Sequence, residues 1–255
     1  MSRFKASGYV IKGSSFGESS RVITIFTLEK GKLKCLAKGT KKATIKKGGA
    51  LQLFSQISCN IYQKENVELA TLTDTDVMDD FAAISADPAK FGYCSAYCEI
   101  IDKSISDNQP IPELYDLTGE LFNWMQKCSG NSVAVLFWSA FLKTLAILGY
   151  QPRLTECVVC GRQNKGRAAY YDPDRGGIIC SKDLIPDGRY GKLSSLSLKT
   201  LQDFLAKPLS ELSEITCPEK TLKEAGQFIM TFARYHAGLR QNLKSFKFLS
   251  QLKKE

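Results

Sequence analysis

The 255 residues predict an α+β protein: an N-terminal five-stranded OB-type β-barrel, then an α-helical domain with a small zinc-finger-like insert. Three observations predict it. Apolar residues alternate with a two-residue period over residues 7–73, and the period turns helical after residue 80. Residues 151–192 lack long apolar runs and are rich in Gly, Arg, Asp and Cys. A hydrophobic content of 44% is enough for a substantial core and excludes a disordered tail protein.

Residues 8–11 form an apolar strand that ends at a Gly/Ser turn, 13–15. Residues 21–28 are rich in β-branched side chains, and 29–32 carry a turn signal. In the third strand Leu33, Cys35 and Ala37 alternate with lysines. A polar, glycine-bearing loop spans 39–49. Leu51, Leu53, Ile57, Cys59 and Ile61 resume the two-residue period, and residues 67–72 close the set. Five strands in about 70 residues suit a small closed barrel.

In the helical part, Asp87 supplies an N-cap and Pro88 fits the first helical turn. Tyr93, Tyr97, Ile100, Ile101 and Ile105 follow at helical spacing. Pro112 opens a second helix with Leu114, Leu117, Leu121, Trp124 and Cys128 on one side. Residues 132–148 form an apolar helix stopped by Gly149. Helical periodicity returns over 197–206 and 218–240 and runs into a basic tail. The expected domains are 1–80 (barrel), 81–152 with 190–255 (helical) and 153–189 (insert).

No apolar signal segment is visible at the N-terminus. Lys143 interrupts the most apolar stretch, 133–150, and a bilayer span needs about 20 apolar residues. Cys35, Cys59, Cys94, Cys98 and Cys128 sit inside apolar patterns, where a free thiol behaves as a small hydrophobe. The expectation is a cytoplasmic protein with no membrane contact.

The net charge of +9 is unevenly distributed. Residues 1–49 hold 12 Lys/Arg against 2 Asp/Glu, whereas residues 50–110 hold 3 against 10. Such segregation points to a polyanion-binding face on the barrel. Lys32, Lys34 and Lys38 share a strand face by the two-residue period, and Lys41, Lys42, Lys46 and Lys47 lie in the adjoining loop. Any single lysine there reads as solvated surface. The cluster repels itself, and a counter-anion relieves that repulsion, so these seven are expected to bind phosphates, of nucleic acid or of an acidic membrane surface, and are the DNA-binding residues if the polyanion is DNA. Lysine rather than arginine suits backbone phosphates more than bidentate base reading. Phe16, Phe26, Phe54 and Tyr62 would offer stacking rings if they faced outward, although burial in the core is the commoner fate of an aromatic ring. Arg234, Arg240, Lys244, Lys247, Lys253 and Lys254 read either as an extension of that surface or a site for a protein partner with an acidic tail, or equally as an ordinary exposed helix face.

Cys157-Val158-Val159-Cys160-Gly161 has the spacing of a metal knuckle, and Cys180 and Asp183 follow. The pattern C-x2-C-x19-C-x2-D departs from the four-thiolate spacing only in its last ligand. Asp can ligate zinc through oxygen. Three readings compete: structural zinc held by Cys157, Cys160, Cys180 and Asp183 or a water, a zinc-free remnant kept by packing, and a redox Cys-x-x-Cys. The first is the leading one. The single His236 excludes a multi-His metal centre, and any Ser–His–Asp or Cys–His catalytic set would depend wholly on it. It reads as a packing or surface residue.

These residues resemble a known family, the bacterial RecO DNA repair proteins. Gly39-Thr40-Lys41-Lys42 and the loop leading to Leu51-Gln52-Leu53-Phe54 resemble its basic turn and fourth strand. Gly149-Tyr150-Gln151-Pro152-Arg153-Leu154 ahead of Cys157-x-x-Cys160-Gly161, then Gly176-Gly177-Ile178-Ile179-Cys180, resemble its knuckle, and residues 243–249 its closing helix. The resemblance implies a non-enzymatic recombination mediator, cytoplasmic and nucleoid-associated. Such a protein binds single- and double-stranded DNA and anneals complementary strands. It acts with RecR to load RecA on strands coated by single-stranded-DNA-binding protein, whose acidic C-terminal tail it contacts. Zinc carries over at Cys157, Cys160 and Cys180, whereas Asp183 stands where a fourth Cys is usual. Two rival readings are a zinc-dependent hydrolase and a helical protein-binding adaptor with a secondary basic face.

Overall fold

The structure is a computed structural model that describes residues 2–38, 51–64, 69–239 and 243–252. Five strands form a closed barrel in the order β1-β2-β3-β5-β4: β1 Ser2–Phe16, β2 Ser20–Thr27, β3 Gly31–Ala37, β4 Gln56–Gln63 and β5 Ala70–Asp79. This is the OB arrangement. Strand β1 serves two neighbours, pairing β4 through residues 2–9 and β2 through residues 8–16. The register slips between Val10 and Lys12, and the extra residue bends the strand from one partner to the other. Val10, Ile23, Ile25, Leu33, Cys35, Ile57, Cys59 and Ile61 fill the interior.

The two-residue period at Leu51 and Leu53 does not mark a strand. Residues 51–54 form a turn, and β4 begins only at Gln56. Phe54 adopts φ 78°, a left-handed conformation that a bulky side chain rarely takes. Its N–H donates to Val10 O at 2.8 Å, and Val10 N–H donates to Ser55 O at 2.9 Å, so hydrogen bonds to β1 fix the turn.

Tyr9 and Phe26 point away from the barrel interior, and with Phe54 they meet the helical residues that follow. Helices α1 Ala82–Ala86, α2 Pro88–Ser104 and α3 Pro112–Lys127 supply or flank Phe81, Phe91, Tyr115 and Phe122. Tyr9 lies 4.9 Å from Tyr115 and 5.6 Å from Phe122 between ring centroids, and Phe54 lies 5.7 Å from Phe122. Asp87 caps α2 as expected, accepting from the N–H groups of Ala89 (2.8 Å) and Lys90 (3.1 Å). The packing therefore divides after residue 126, because these aromatic contacts join the barrel to the first helices. One compact unit comprises 1–126 and 243–255, and the other comprises 127–242.

In the second unit α4 Ser132–Ile147 is buried on most of its surface. Its polar residues have defined tasks. Ser139 Oγ donates to Phe204 O (3.0 Å) and Lys143 Nζ to Leu205 O (3.1 Å). Those carbonyls end helix α5, Ser195–Ala206, and would otherwise lack partners. Short α6 Leu209–Leu212 and long α7 Glu219–His236 complete the helices of this unit. A three-stranded sheet, β6 Ala169–Asp172, β7 Gly177–Ile179 and β8 Gly191–Leu193, is ordered β7-β6-β8. Tyr171 of β6 packs edge-on to Phe228 of α7 at 4.9 Å. In the first unit, α8 Lys244–Leu252 closes the chain. No helix among the described residues is long and apolar enough to cross a membrane.

Candidate metal centre and basic face

The insert is organised by backbone hydrogen bonds to β7. Arg153 N–H donates to Gly176 O (3.1 Å), Ile178 N–H to Arg153 O (3.0 Å) and Val158 N–H to Ile178 O (2.9 Å). Two glycines permit this approach. Gly176 lies in the left-handed region at φ +73°. At Gly177 a Cβ would come within 2.5 Å of Val158 Cγ1 and 2.6 Å of Arg153 O. The knuckle turns back on itself, with Gly161 N–H donating to Cys157 O and Cys157 N–H to Arg162 O, each at 2.9 Å. A 3-10 turn, Ser181–Asp183, then folds Asp183 back toward Cys180.

The four ligand candidates converge. The sulfurs of Cys157, Cys160 and Cys180 and a carboxylate oxygen of Asp183 all lie within 4.8 Å of one another. The Cys160 and Cys180 sulfurs are 3.9 Å apart. Two thiolates about 2.3 Å from one tetrahedral zinc-sized ion would be about 3.8 Å apart, so the set fits such an ion. Asp183 Oδ2 accepts from Cys180 Sγ (2.8 Å) and Cys157 Sγ (3.1 Å). The Cys180 N–H donates to Cys157 Sγ at 3.4 Å.

These contacts set the acidities. Thiol donors from Cys160, Cys180 and Cys157 hold the Asp183 carboxyl down at about 2. The same carboxylate pushes the Cys160 thiol up to about 11. Burial works to raise Cys157, but backbone N–H donors of Cys160, Cys180 and Val159 overcome it and bring that thiol below its ordinary value. The cluster can hold a metal ion.

The basic face differs from the expectation at Lys32. Lys32 and Lys34 do share a strand face, but residues 102–107 cover part of it. The Lys32 side chain is 7% exposed, with Nζ 3.2 Å from Asp107 Oδ1 and 3.5 Å from Asp102 Oδ1. It also donates to the Asp102 carbonyl. Lys32 is thus an internal cation rather than a surface one. Lys34 is exposed but pairs with Asp107 Oδ2 at 2.7 Å, and Lys12 pairs with Asp102 Oδ2 at 2.6 Å. Burial works to raise the Asp107 carboxyl, and the Lys34 and Lys32 ammonium groups outweigh it and hold the group below its ordinary value. Lys38 is exposed at the end of β3. Lys41, Lys42, Lys46 and Lys47 lie outside the described residues.

Other barrel cations reach solvent, among them Arg3, Lys5 and Lys30, which are not among the seven expected DNA-binding residues. The Arg3 guanidinium lies 5.7 Å from the Tyr62 ring centroid, across the β1–β4 pair. Of the four rings considered for stacking, Phe26 and Phe54 are fully buried, Tyr62 is half-buried, and Phe16 is 53% exposed near the β1–β2 turn. The pattern that could have singled out Arg3 and Tyr62 is alternation with half-buried Phe4 and buried Ala6 on β1 and with buried Ile61 on β4.

Comparison with known proteins identifies the family. The family model described as "Recombination protein O N terminal" matches residues 1–81, and "Recombination protein O C terminal" matches residues 85–245. The chain is 27% identical over 252 residues to the DNA repair protein RecO of Syntrophotalea carbinolica, covering 99% of this chain and 96% of that one. It is 29% identical to that of Listeria monocytogenes serotype 4b, with 98% and 95% covered. Against that of Desulfitobacterium hafniense it is 29% identical, with 89% and 84% covered.

Proposed function

Starting from the chain's membership of the RecO family of DNA repair and recombination proteins, we propose that it binds single- and double-stranded DNA on its barrel and anneals complementary strands. On this reading it acts with RecR to load RecA on strands coated by single-stranded-DNA-binding protein, whose acidic tail it contacts. It works in the cytoplasm, at the nucleoid. The observation that carries the proposal is Lys38, exposed at the end of β3, with Lys41, Lys42, Lys46 and Lys47 following it closely in the sequence. Arg3 beside Tyr62 adds a cation next to a ring.

Neutralising the phosphates of two strands on one surface lowers their repulsion and raises their local concentration, so pairing proceeds without bond chemistry. Zinc is the ion assigned to Cys157, Cys160, Cys180 and Asp183, where it would serve as a structural cross-link between the knuckle and the 3-10 turn. Strand annealing tests the reading. Lys41→Glu with Lys42→Glu should slow annealing and weaken binding to all sequences about equally. Unchanged annealing, or a loss confined to particular sequences, would remove the phosphate mechanism. RecR docking is tested separately by co-elution with the intact chain.

A further inference from the structure

Within residues 127–242 a second cationic cleft stands beside the knuckle, with a volume of about 480 Å³. Tyr150, Arg153, Val158, Arg175, Phe232 and His236 line it. It is in the size range of small-ligand clefts. The Arg153 guanidinium has no acid or hydrogen-bond acceptor as a partner among the described residues. Arg175 engages Asp172 Oδ2 through its Nε alone, at 3.4 Å. Asp172 therefore tempers one guanidinium and leaves the other uncompensated.

The remaining wall is aromatic. His236 lies over Phe232 with ring centroids 4.5 Å apart. Its Nε2 is 2.8 Å from Pro173 O, and a carbonyl only accepts, so Nε2 carries the proton and Nδ1 is left for another partner. Tyr150, 39% exposed, also lines the cleft. Gly176 brings the β6–β7 turn against the imidazole, where a Cβ would stand 3.3 Å from Cε1.

A planar guanidinium fork matches phosphate geometry, and exposed ring faces accept a base of any identity. An acidic peptide would use the arginines and leave the rings without a role. We infer that this cleft is a nucleotide subsite for single-stranded DNA, in which Arg153 and Arg175 hold a phosphodiester and a base stacks on Tyr150 or on the imidazole of His236, which is itself backed by buried Phe232. The inference rests on the DNA-binding reading and adds a contact outside the barrel.

The test uses the full chain and an oligothymidine carrying 5-iodouracil, photo-crosslinked and mapped by peptide mass. Adducts on Tyr150 or His236 are expected. Arg153→Ala with Arg175→Ala should abolish them, weaken single-strand affinity about three- to ten-fold, and flatten the salt dependence by about 0.7, the slope of one phosphate contact. Arg153→Lys with Arg175→Lys should keep the slope and lose part of the affinity. Adducts confined to residues 1–80, with affinity unchanged in the alanine pair, would overturn the subsite and leave barrel binding intact. If the wild-type chain bound no DNA, both readings would fall. An acidic peptide that protects these arginines, with no DNA adduct in the cleft, would also overturn the proposal. If the alanine pair failed to fold, the wild-type adduct positions alone would decide.

Discussion

A buried ammonium group is costly without anions, and Lys32 finds two of them in Asp102 and Asp107. Asp102 and Asp107 keep Lys12 and Lys34 as partners at the surface, so losing the Lys32 ammonium costs about 1.5–3 kcal/mol, the worth of a hydrogen bond to a charged group. Lys32→Ala is therefore expected to lower the denaturation midpoint strongly, while the folded fraction keeps its DNA affinity. Lys38→Glu should do the reverse, leaving the midpoint unchanged and weakening DNA binding. Denaturant titration and fluorescence anisotropy on the same two variants separate these outcomes. The carboxyl of Asp107 has its pKa lowered on folding, so its stabilisation is present above its unfolded pKa, near pH 4, and is lost as pH falls through the folded value. At Gly177 the added methyl of Gly177→Ala meets Val158 Cγ1 and the Arg153 carbonyl. That substitution should loosen the knuckle and reduce metal retention, measured as zinc per chain. The lysine alternation was legible in the sequence. The covering acids were not, because they arrive from about 70 residues downstream.

At the scale of elements, helix α8 packs on α2 through Phe248 and Leu249, and its first turn is capped by one carboxylate. Glu99 of α2 accepts from the backbone N–H groups of Lys244 and Ser245, each at 3.0 Å, and pairs with Lys103 at 2.8 Å. Burial works to raise Glu99, and the Lys103, Ser245 and Lys244 donors together lower it. Glu99→Gln should cost about 1 kcal/mol, the usual worth of a helix cap, and raise amide exchange in α8 first. Because the folded pKa is depressed, α8 should also loosen in the wild-type chain as pH falls through that folded value. Helices α2 and α3 and the apolar α4 were legible from their caps and spacing. Strand β4 was misjudged at its start because Leu51 and Leu53 mimic a strand period, whereas hydrogen bonds of Phe54 and Ser55 to Val10 fix a turn there.

For the whole molecule, DNA affinity should fall steeply with salt if phosphate neutralisation drives it, and a flat dependence would remove that mechanism. Zinc analysis of the purified chain is expected to give about one ion, reduced by Asp183→Ala and kept by Asp183→Cys, since a fourth thiolate completes the tetrahedral set. The sequence alone determined the barrel, the order of helices and the ligand spacing, because each rests on periodicity or on residues close together in the chain. Only tertiary structure decided which charges face solvent and where the molecule divides. Asp102 and Asp107 turn part of the expected DNA face inward, and the rings of Tyr9, Phe26 and Phe54 join the barrel to α2 and α3 in one unit. Alternation tells which side of a strand a residue occupies. What packs against that side is settled by contacts between residues distant in sequence, which no local pattern encodes.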